Sequence, residues 1–180
     1  MKNGFLSDVN NISFIMNTDG AILFKSSNVS IWPLFLIINE LPFKERKREE
    51  NMILAGLWIG SQKPPMTLFL KPLTDSLKDL YSGVEVNSAD VGVINVKGML
   101  LACTCDLPTR AAVTNFNQFN GFYSCAKCLQ EGESAYKSTR KKGQVTDFPF
   151  QPEDPIGPAR RSDSVQKDAK LDKKDSVPKV

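Results

Sequence analysis

Two groups of residues between positions 96 and 128 have the types and spacing of chemical sites. Asp106 follows an apolar run at residues 96–105, and a carboxylate at the end of a buried strand can hold a metal ion or act as an acid–base group. Cys125 and Cys128 form a Cys-x-x-Cys pair, which is typical of half a zinc site. A second carboxylate, Asp19, ends the first predicted strand, and we predict it to be the partner of Asp106.

Each carboxylate also has a purely structural interpretation. Asp19 precedes Gly20 between two apolar segments, and Asp-Gly in that setting is the strongest short signal for a β-hairpin turn. The pattern alone favours this turn over a catalytic role. Asp106 precedes a helical segment, where it is equally suited to cap the first turn by accepting backbone N–H groups.

The cysteines leave three interpretations open. Cys103 and Cys105 share one face of their predicted strand and are candidates for the remaining two ligands of a zinc site at Cys125 and Cys128. The simpler interpretation is four free thiols, with Cys103 and Cys105 in the core. A redox Cys-x-x-Cys comes third, because no thioredoxin-like sequence surrounds it. The chain contains no histidine, which excludes Ser-His and Cys-His catalytic pairs and imidazole ligands.

Composition restricts the class of protein. A chain of 180 residues can build one domain with a real core, and a net charge of +3 gives only weak support for a nucleic-acid partner. No apolar run is long enough to span a bilayer, and the first residues lack the apolar stretch of a signal peptide. The cysteine spacing suggests reduced thiols, so we expect a nuclear or cytoplasmic protein that is not secreted.

The chain divides into three predicted segments. Residues 1–10 are expected to be a flexible N-terminus, and residues 11–150 a folded core. Residues 151–180 contain four prolines and alternating charges but few large apolar side chains. Such a segment cannot bury enough surface to offset its ordering entropy, so we expect a disordered charged tail with at most a short helix near 162–171.

The order of predicted elements is four strands, a helix, a strand and a helix. The strands are expected at 12–19, 21–25, 31–41, 51–60 and 94–105, the helices at 63–83 and 106–115, a connection at 84–90, and a short extended piece at 143–150. Pro72 predicts either a kink in the first helix or a start at that residue. This order indicates an α/β (α+β) fold that is close to the opening of an RNase H-like domain.

In that topology the first strand and the strand after the helix end side by side, which would bring Asp19 and Asp106 together. Two neighbouring carboxylates repel each other unless a cation lies between them. Oxygen ligands with open water positions suit Mg²⁺ or Mn²⁺, and two such ions can activate water and stabilise the leaving oxygen of a phosphodiester.

An ordered series of short motifs resembles the core of transposase-derived proteins of invertebrates, which are similar to CACTA-type (En/Spm-like) DNA transposases. The resemblance covers roughly residues 12–170, and the order of the motifs is more specific than any one of them. The motifs are NTDG at 17–20, KSSNVSIWP at 25–33, INELP at 38–42, AGLW at 55–58, FLKP at 69–72, TCDLP at 104–108 and QFNGFYSCAKCL at 118–129.

The resemblance implies an RNase H-like catalytic core that performs metal-dependent DNA cleavage and strand transfer. Asp19 and Asp106 would be the first two members of an acidic triad that binds Mg²⁺ or Mn²⁺, and Cys125 and Cys128 a zinc-type knuckle. The third acidic residue is expected downstream of the knuckle, and the chain ends first. Relatives carry histidines in the tract that corresponds to 143–150, where this chain has none.

We therefore expect an incomplete RNase H-like mixed sheet with flanking helices and a Cys-x-x-Cys knuckle, catalytically silent as a truncated chain. The alternative function is a non-catalytic, zinc-stabilised module that binds nucleic acid or protein. A third expectation is a gene remnant without a selected role.

Overall fold

The computed structural model describes residues 4–24, 28–118, 120–138, 141–154 and 157–166. Contacts divide the chain into two compact units, Met1–Thr109 and Arg110–Val180. The strands are β1 Ile12–Thr18, β2 Ala21–Ile22, β3 Ser30–Ile38, β4 Met52–Gly60, β5 Val84–Ser88, β6 Gly92–Val96, β7 Gly98–Thr104, β8 Glu133–Ser138 and β9 Lys141–Asp147. The helices are α1 Phe43–Arg46, α2 Met66–Ser82 and α3 Leu107–Thr114, with short 3₁₀ turns at Phe5–Ser7 and Glu49–Asn51.

A mixed sheet of five strands forms the centre of the first unit. β3 pairs antiparallel with β4 on one side and with β1 and β2 on the other. On the side away from β3, β1 pairs in parallel with β7, and Asn17 lies opposite Thr104. The expected α+β architecture with a mixed sheet is therefore confirmed.

The hairpin predicted at Asp19 and Gly20 is wrong. β1 and β2 do not pair with each other; both pair with β3, one after the other along the same side. Neither residue has the positive φ that an Asp-Gly hairpin turn requires. Gly20 is required for a different reason: a Cβ at this position would lie 2.4 Å from Cζ2 of Trp32.

One face of this sheet carries the core. Alternate residues of β1 and β3 point to the same face because successive side chains of a strand point to opposite sides. Phe14, Met16, Trp32, Leu34 and Leu36 are all buried there.

α2 packs on β4 and β7. The helix begins at Met66 and runs through Pro72, so the alternative of a start at Pro72 is wrong. It ends before Gly83, whose φ of 114° suits a glycine after a helix. Leu80 of α2 lies so close to Gly98 that a Cβ on this glycine would be 2.4 Å from the leucine Cδ2.

The segment between α2 and β7 differs from the prediction. Residues 84–90 were expected to be a connection and 94–105 one long strand, but β5 and β6 form an antiparallel hairpin and β7 starts only at Gly98. Val84 and Val86 alternate with polar residues, which is the period-two pattern of a half-exposed strand. That pattern was the signal for β5.

The second unit contains a separate hairpin of β8 and β9, which begins ten residues before the short extended piece expected at 143–150. Residues 127–129 pair with residues 158–160 through hydrogen bonds from Leu129 N to Pro158 O (2.7 Å) and from Arg160 N to Lys127 O (2.8 Å). A helical turn follows at 162–166. The boundaries at residues 10 and 150 stay predictions, and residues 167–180 of the expected tail lie outside the described part.

Candidate acidic metal site and cysteine knuckle

The parallel pairing of β1 and β7 brings their carboxyl ends to the same edge of the sheet. The Asn17 side-chain nitrogen donates to the backbone oxygen of Thr104 at 2.9 Å and lies 3.2 Å from its hydroxyl oxygen. The Thr104 hydroxyl in turn lies 3.4 Å from the backbone oxygen of Met16. These contacts fix the two strand ends against each other, directly before Asp19 and Asp106 in sequence.

One residue, Thr109, contacts both predicted carboxylates. Its backbone N–H donates to Oδ1 of Asp106 at 2.7 Å, and its hydroxyl lies 3.3 Å from Oδ1 of Asp19. Thr109 is 2 % exposed, so the buried side chain cannot leave this position without opening the core. The structure therefore brings Asp19 and Asp106 to the same place.

The interpretation of Asp106 as a helix cap is also confirmed. The bond from Thr109 N to the Asp106 carboxylate satisfies a free N–H group in the first turn of α3. It occupies Oδ1 of Asp106, while the side chain as a whole stays exposed. The cap and a metal ligand are therefore compatible roles for one carboxylate.

The charge state of Asp106 suits a ligand. The backbone N–H of Thr109 lowers the pKa of Asp106, and the Thr109 hydroxyl and the positive charge of Lys63 lower it further. The hydroxyl of Thr109 carries one proton, so it can donate to only one of the two carboxylates at a time.

The donor set at this edge fits Mg²⁺ or Mn²⁺. These ions are commonly held by one or two carboxylates and keep several waters, and both Asp19 and Asp106 are exposed to solvent. Within the described ranges, no group of three or more His, Cys, Asp or Glu side chains is placed to hold a metal. Asp19 and Asp106 are therefore two candidate ligands, and the described residues place no third such side chain with them.

The sequence prediction missed three residues next to the carboxylates. Thr109 stands three positions after Asp106, where a capping N–H is expected, and this spacing could have identified it. Trp32 touches Gly20, and Lys63 acts on Asp106 through its charge. No local pattern relates Trp32 or Lys63 to the acidic residues, because the contacts depend on the sheet order.

Cys125 and Cys128 form a turn in which backbone N–H groups point at the sulfurs. The N–H of Lys127 donates to Sγ of Cys125 over an N–S distance of 3.4 Å. Cys125 also accepts the backbone N–H of Cys128, and Cys128 accepts that of Gln130. Such bonds favour the thiolate form, which is the form that binds zinc.

The pKa values of the two thiols of this turn are shifted in opposite directions. The N–H of Lys127 lowers the pKa of Cys125, with help from Cys128 and from the charge of Arg160. The N–H of Gln130 also lowers the pKa of Cys128, but the neighbouring Cys125 and burial outweigh it, so that this pKa is raised.

Arg160 holds the backbone of the cysteine turn from the opposite segment. Its Nε donates to the carbonyl of Cys125 at 2.9 Å and its Nη2 to that of Tyr123 at 2.8 Å. The guanidinium also lies over the ring of Phe116, 5.0 Å from the ring centroid. The sequence pattern did not predict this role, because Arg160 is 35 positions away from Cys125.

The expectation that Cys103 and Cys105 lie in the core is wrong for Cys103, which is exposed at the end of β7. Cys105 is half-buried, and both are free thiols. Although the residue as a whole is exposed, the loss of solvent around its sulfur and the neighbouring Cys105 raise the pKa of Cys103 to about 11. Shared zinc ligation with Cys125 and Cys128 stays a prediction.

Sequence comparison supplies the family. In the described ranges, no helix is both long enough and apolar enough to cross a membrane. A comparison with curated proteins finds no match. The model of the transposase family tnp2 matches residues 1–175, which is nearly the whole chain and includes both carboxylates and the cysteine turn. The chain therefore belongs to the transposase family tnp2.

Proposed function

We propose that the first unit is an RNase H-like core of a CACTA-type transposase. Three antiparallel strands (β1, β3 and β4) precede helix α2, and the later strand β7 lies parallel to β1. That is the order which an RNase H-like opening requires, and the β5–β6 hairpin is an insertion between α2 and β7.

In this proposal Asp19 and Asp106 are the metal ligands of a DNA cleavage and strand-transfer site. The observation that carries it is the shared contact with Thr109, which holds both carboxylates at the carboxyl ends of β1 and β7. The cap bond fixes Asp106 Oδ1 and so orients the carboxylate as a ligand. Mg²⁺ or Mn²⁺, when bound, would activate water and stabilise the leaving oxygen of a phosphodiester.

We further propose that the chain alone binds the ion without turning over DNA. Two carboxylates neutralise a divalent cation and hold it, but a third ligand would fix its position for chemistry. The described residues supply the pair only.

A binding titration with Mn²⁺, followed by electron paramagnetic resonance, tests the ligand assignment. The wild-type chain should bind the ion, and Asp19→Asn and Asp106→Asn should each lose it because a neutral amide is a poor ligand. Asp90→Asn is the matched control, since Asp90 is an exposed aspartate in the turn between β5 and β6. Unchanged binding in both site variants would refute the metal site.

A plasmid-nicking assay in Mn²⁺ tests the proposal that the chain alone does not cleave DNA. We expect no nicking by the isolated chain. Nicking that disappears in Asp19→Asn and Asp106→Asn, but persists in Asp90→Asn, would show instead that the chain is itself an enzyme.

A second candidate function, a zinc-stabilised module that binds nucleic acid or protein, is favoured by the N–H groups directed at Cys125 and Cys128. Protein purified without chelator should contain zinc, and Cys125→Ser should lose it. Cys103→Ser is the control, and if it lost zinc equally, Cys103 would be one of the missing ligands. Absence of zinc from the wild-type protein would leave plain thiols.

A further inference from the structure

Lys63 lies in the connection between β4 and α2, at the same edge of the sheet as the acidic pair. Gly60 at the end of β4 pairs with Ser30, and Ser30 pairs with Ile22 on its other side. The chain therefore leaves β4 beside the segment that follows Asp19. Topology alone brings a lysine to the carboxylates.

The ammonium group of Lys63 has no strong partner. It lies over the indole of Trp32, 5.8 Å from the ring centroid, and its charge lowers the pKa of Asp106. Within the described part of the chain, Nζ forms no hydrogen bond and no ion pair. An exposed cation near Asp106 is thus available to an anionic group from outside.

Trp32 supplies a second donor without an acceptor. Its side chain is 4 % exposed, and its N–H is buried with no hydrogen-bond partner in the described residues. The Cε2 atom, which is bonded to this nitrogen, lies against Gly20, the neighbour of Asp19. An unpaired buried donor is unfavourable because it has lost its hydrogen bond to water, so an acceptor that reaches it would be favoured.

We propose that Lys63 and Trp32 form a subsite for a phosphate oxygen of the nucleic-acid backbone, next to Asp19 and Asp106. This inference rests on the proposed function. A phosphodiester is an anion and is repelled by two carboxylates, and the ammonium of Lys63 offsets that repulsion. In the subsite the ammonium pairs with the phosphate, and the unpaired N–H of Trp32 is the second donor. Lys63 is thus a positioning residue for the substrate.

Fluorescence anisotropy of a labelled DNA duplex tests the role of Lys63. The assay uses Ca²⁺, so that binding is measured without cleavage. Each lost phosphate contact lowers the slope of log affinity against log salt by about 0.9 between about 50 and 200 mM salt, so Lys63→Gln should show that loss. Lys63→Arg should retain the slope, because the charge remains.

Lys97→Gln is the matched control. Lys97 is exposed and precedes β7, and its carbonyl accepts the N–H of Ile12 at the start of β1, so it lies at the opposite edge of the sheet. Its loss should leave the slope unchanged. Three results would each overturn the subsite. The slope could fall equally in Lys63→Gln and Lys97→Gln, it could stay unchanged in Lys63→Gln, or the wild-type chain could fail to bind DNA.

The fluorescence of Trp32 gives an independent readout in a Trp58→Phe background, where it is the single tryptophan of the chain. DNA should change this emission, and Lys63→Gln should weaken the change at equal DNA concentration. Emission that does not respond to DNA in the wild-type background would exclude Trp32 from the subsite. If the wild-type chain failed to bind Mn²⁺ but still showed these DNA effects, the metal site would be refuted and the phosphate subsite would stand.

Discussion

Gly20→Ala should destabilise the chain through a steric clash between two packed groups. A Cβ at position 20 would lie 2.4 Å from Cζ2 and 2.5 Å from Cε2 of Trp32, far inside van der Waals contact. The indole is almost completely buried, so it cannot turn away. Gly20 does not have a positive φ, and strain of the alanine backbone therefore contributes nothing.

The size of the effect follows from two opposing contributions. Overpacking of a buried site costs about 1–3 kcal/mol. Replacing glycine by alanine also restricts the unfolded chain, which returns about 0.4–1 kcal/mol. The middle of each range gives an expected loss in free energy of unfolding of about 1.3 kcal/mol. The displaced backbone would also carry Asp19 away from Thr109, because Gly20 N donates to Asp19 Oδ1 at 2.7 Å.

Urea unfolding of a double-mutant cycle measures this contact. Trp32→Phe removes the benzo ring that carries Cζ2, so Gly20→Ala should cost much less in that background. Gly4→Ala is the control, because nothing lies within 4 Å of a Cβ there. If Gly20→Ala were as stable as wild type, or if its cost were the same with and without Trp32, the reasoning would be refuted.

Three further predictions concern acid stability, thiol reactivity and packing. The fold lowers the pKa of Asp106, so the stability that its carboxylate contributes is complete above the unfolded pKa of about 3.9 and is lost as pH falls through the folded pKa. Urea unfolding at neutral and acid pH should therefore show that Asp106→Asn loses less stability on acidification than the wild-type chain. An equal loss in both would contradict the cap. Alkylation of Cys103 by iodoacetamide should keep accelerating up to about pH 11, whereas Cys125 should level off at lower pH, as mass spectrometry of the labelled peptides would show. Gly98→Ala should cost about 1–3 kcal/mol in urea unfolding because the added methyl meets Leu80, and a cost that persists in Leu80→Ala would contradict that cause.

The sequence predicted those parts of the fold that have a strong local pattern. The apolar runs of β3 and β4 and the three- and four-residue spacing of α2 identify two strands and an amphipathic helix. The expected burial is confirmed for β3 but is wrong for β4, which leaves several large apolar side chains exposed. Asp19 and Asp106 could be paired because the order of elements defines which strand ends meet. The error at Gly20 concerned the pairing partner: β2 follows β1 in sequence but pairs with β3, and an Asp-Gly step does not reveal that.

The remaining parts depend on contacts between distant positions. Arg160 reaches Cys125 across 35 residues from a segment whose composition predicted disorder. Lys63 comes near Asp106 only because β4 and β7 end at the same edge of the sheet. Neither contact leaves a periodic or compositional trace, so the packed chain was needed to find it.

The two bonds of Thr109 make position 109 unusually informative about tolerated substitutions. Serine would keep both the backbone N–H to Asp106 and the hydroxyl to Asp19, whereas valine of nearly equal volume would keep only the first. Proline would remove the N–H and the hydroxyl together. If the serine variant is the most stable, the valine variant the next and the proline variant the least stable, substitutions at this one position separate the bond to Asp19 from the bond that caps α3.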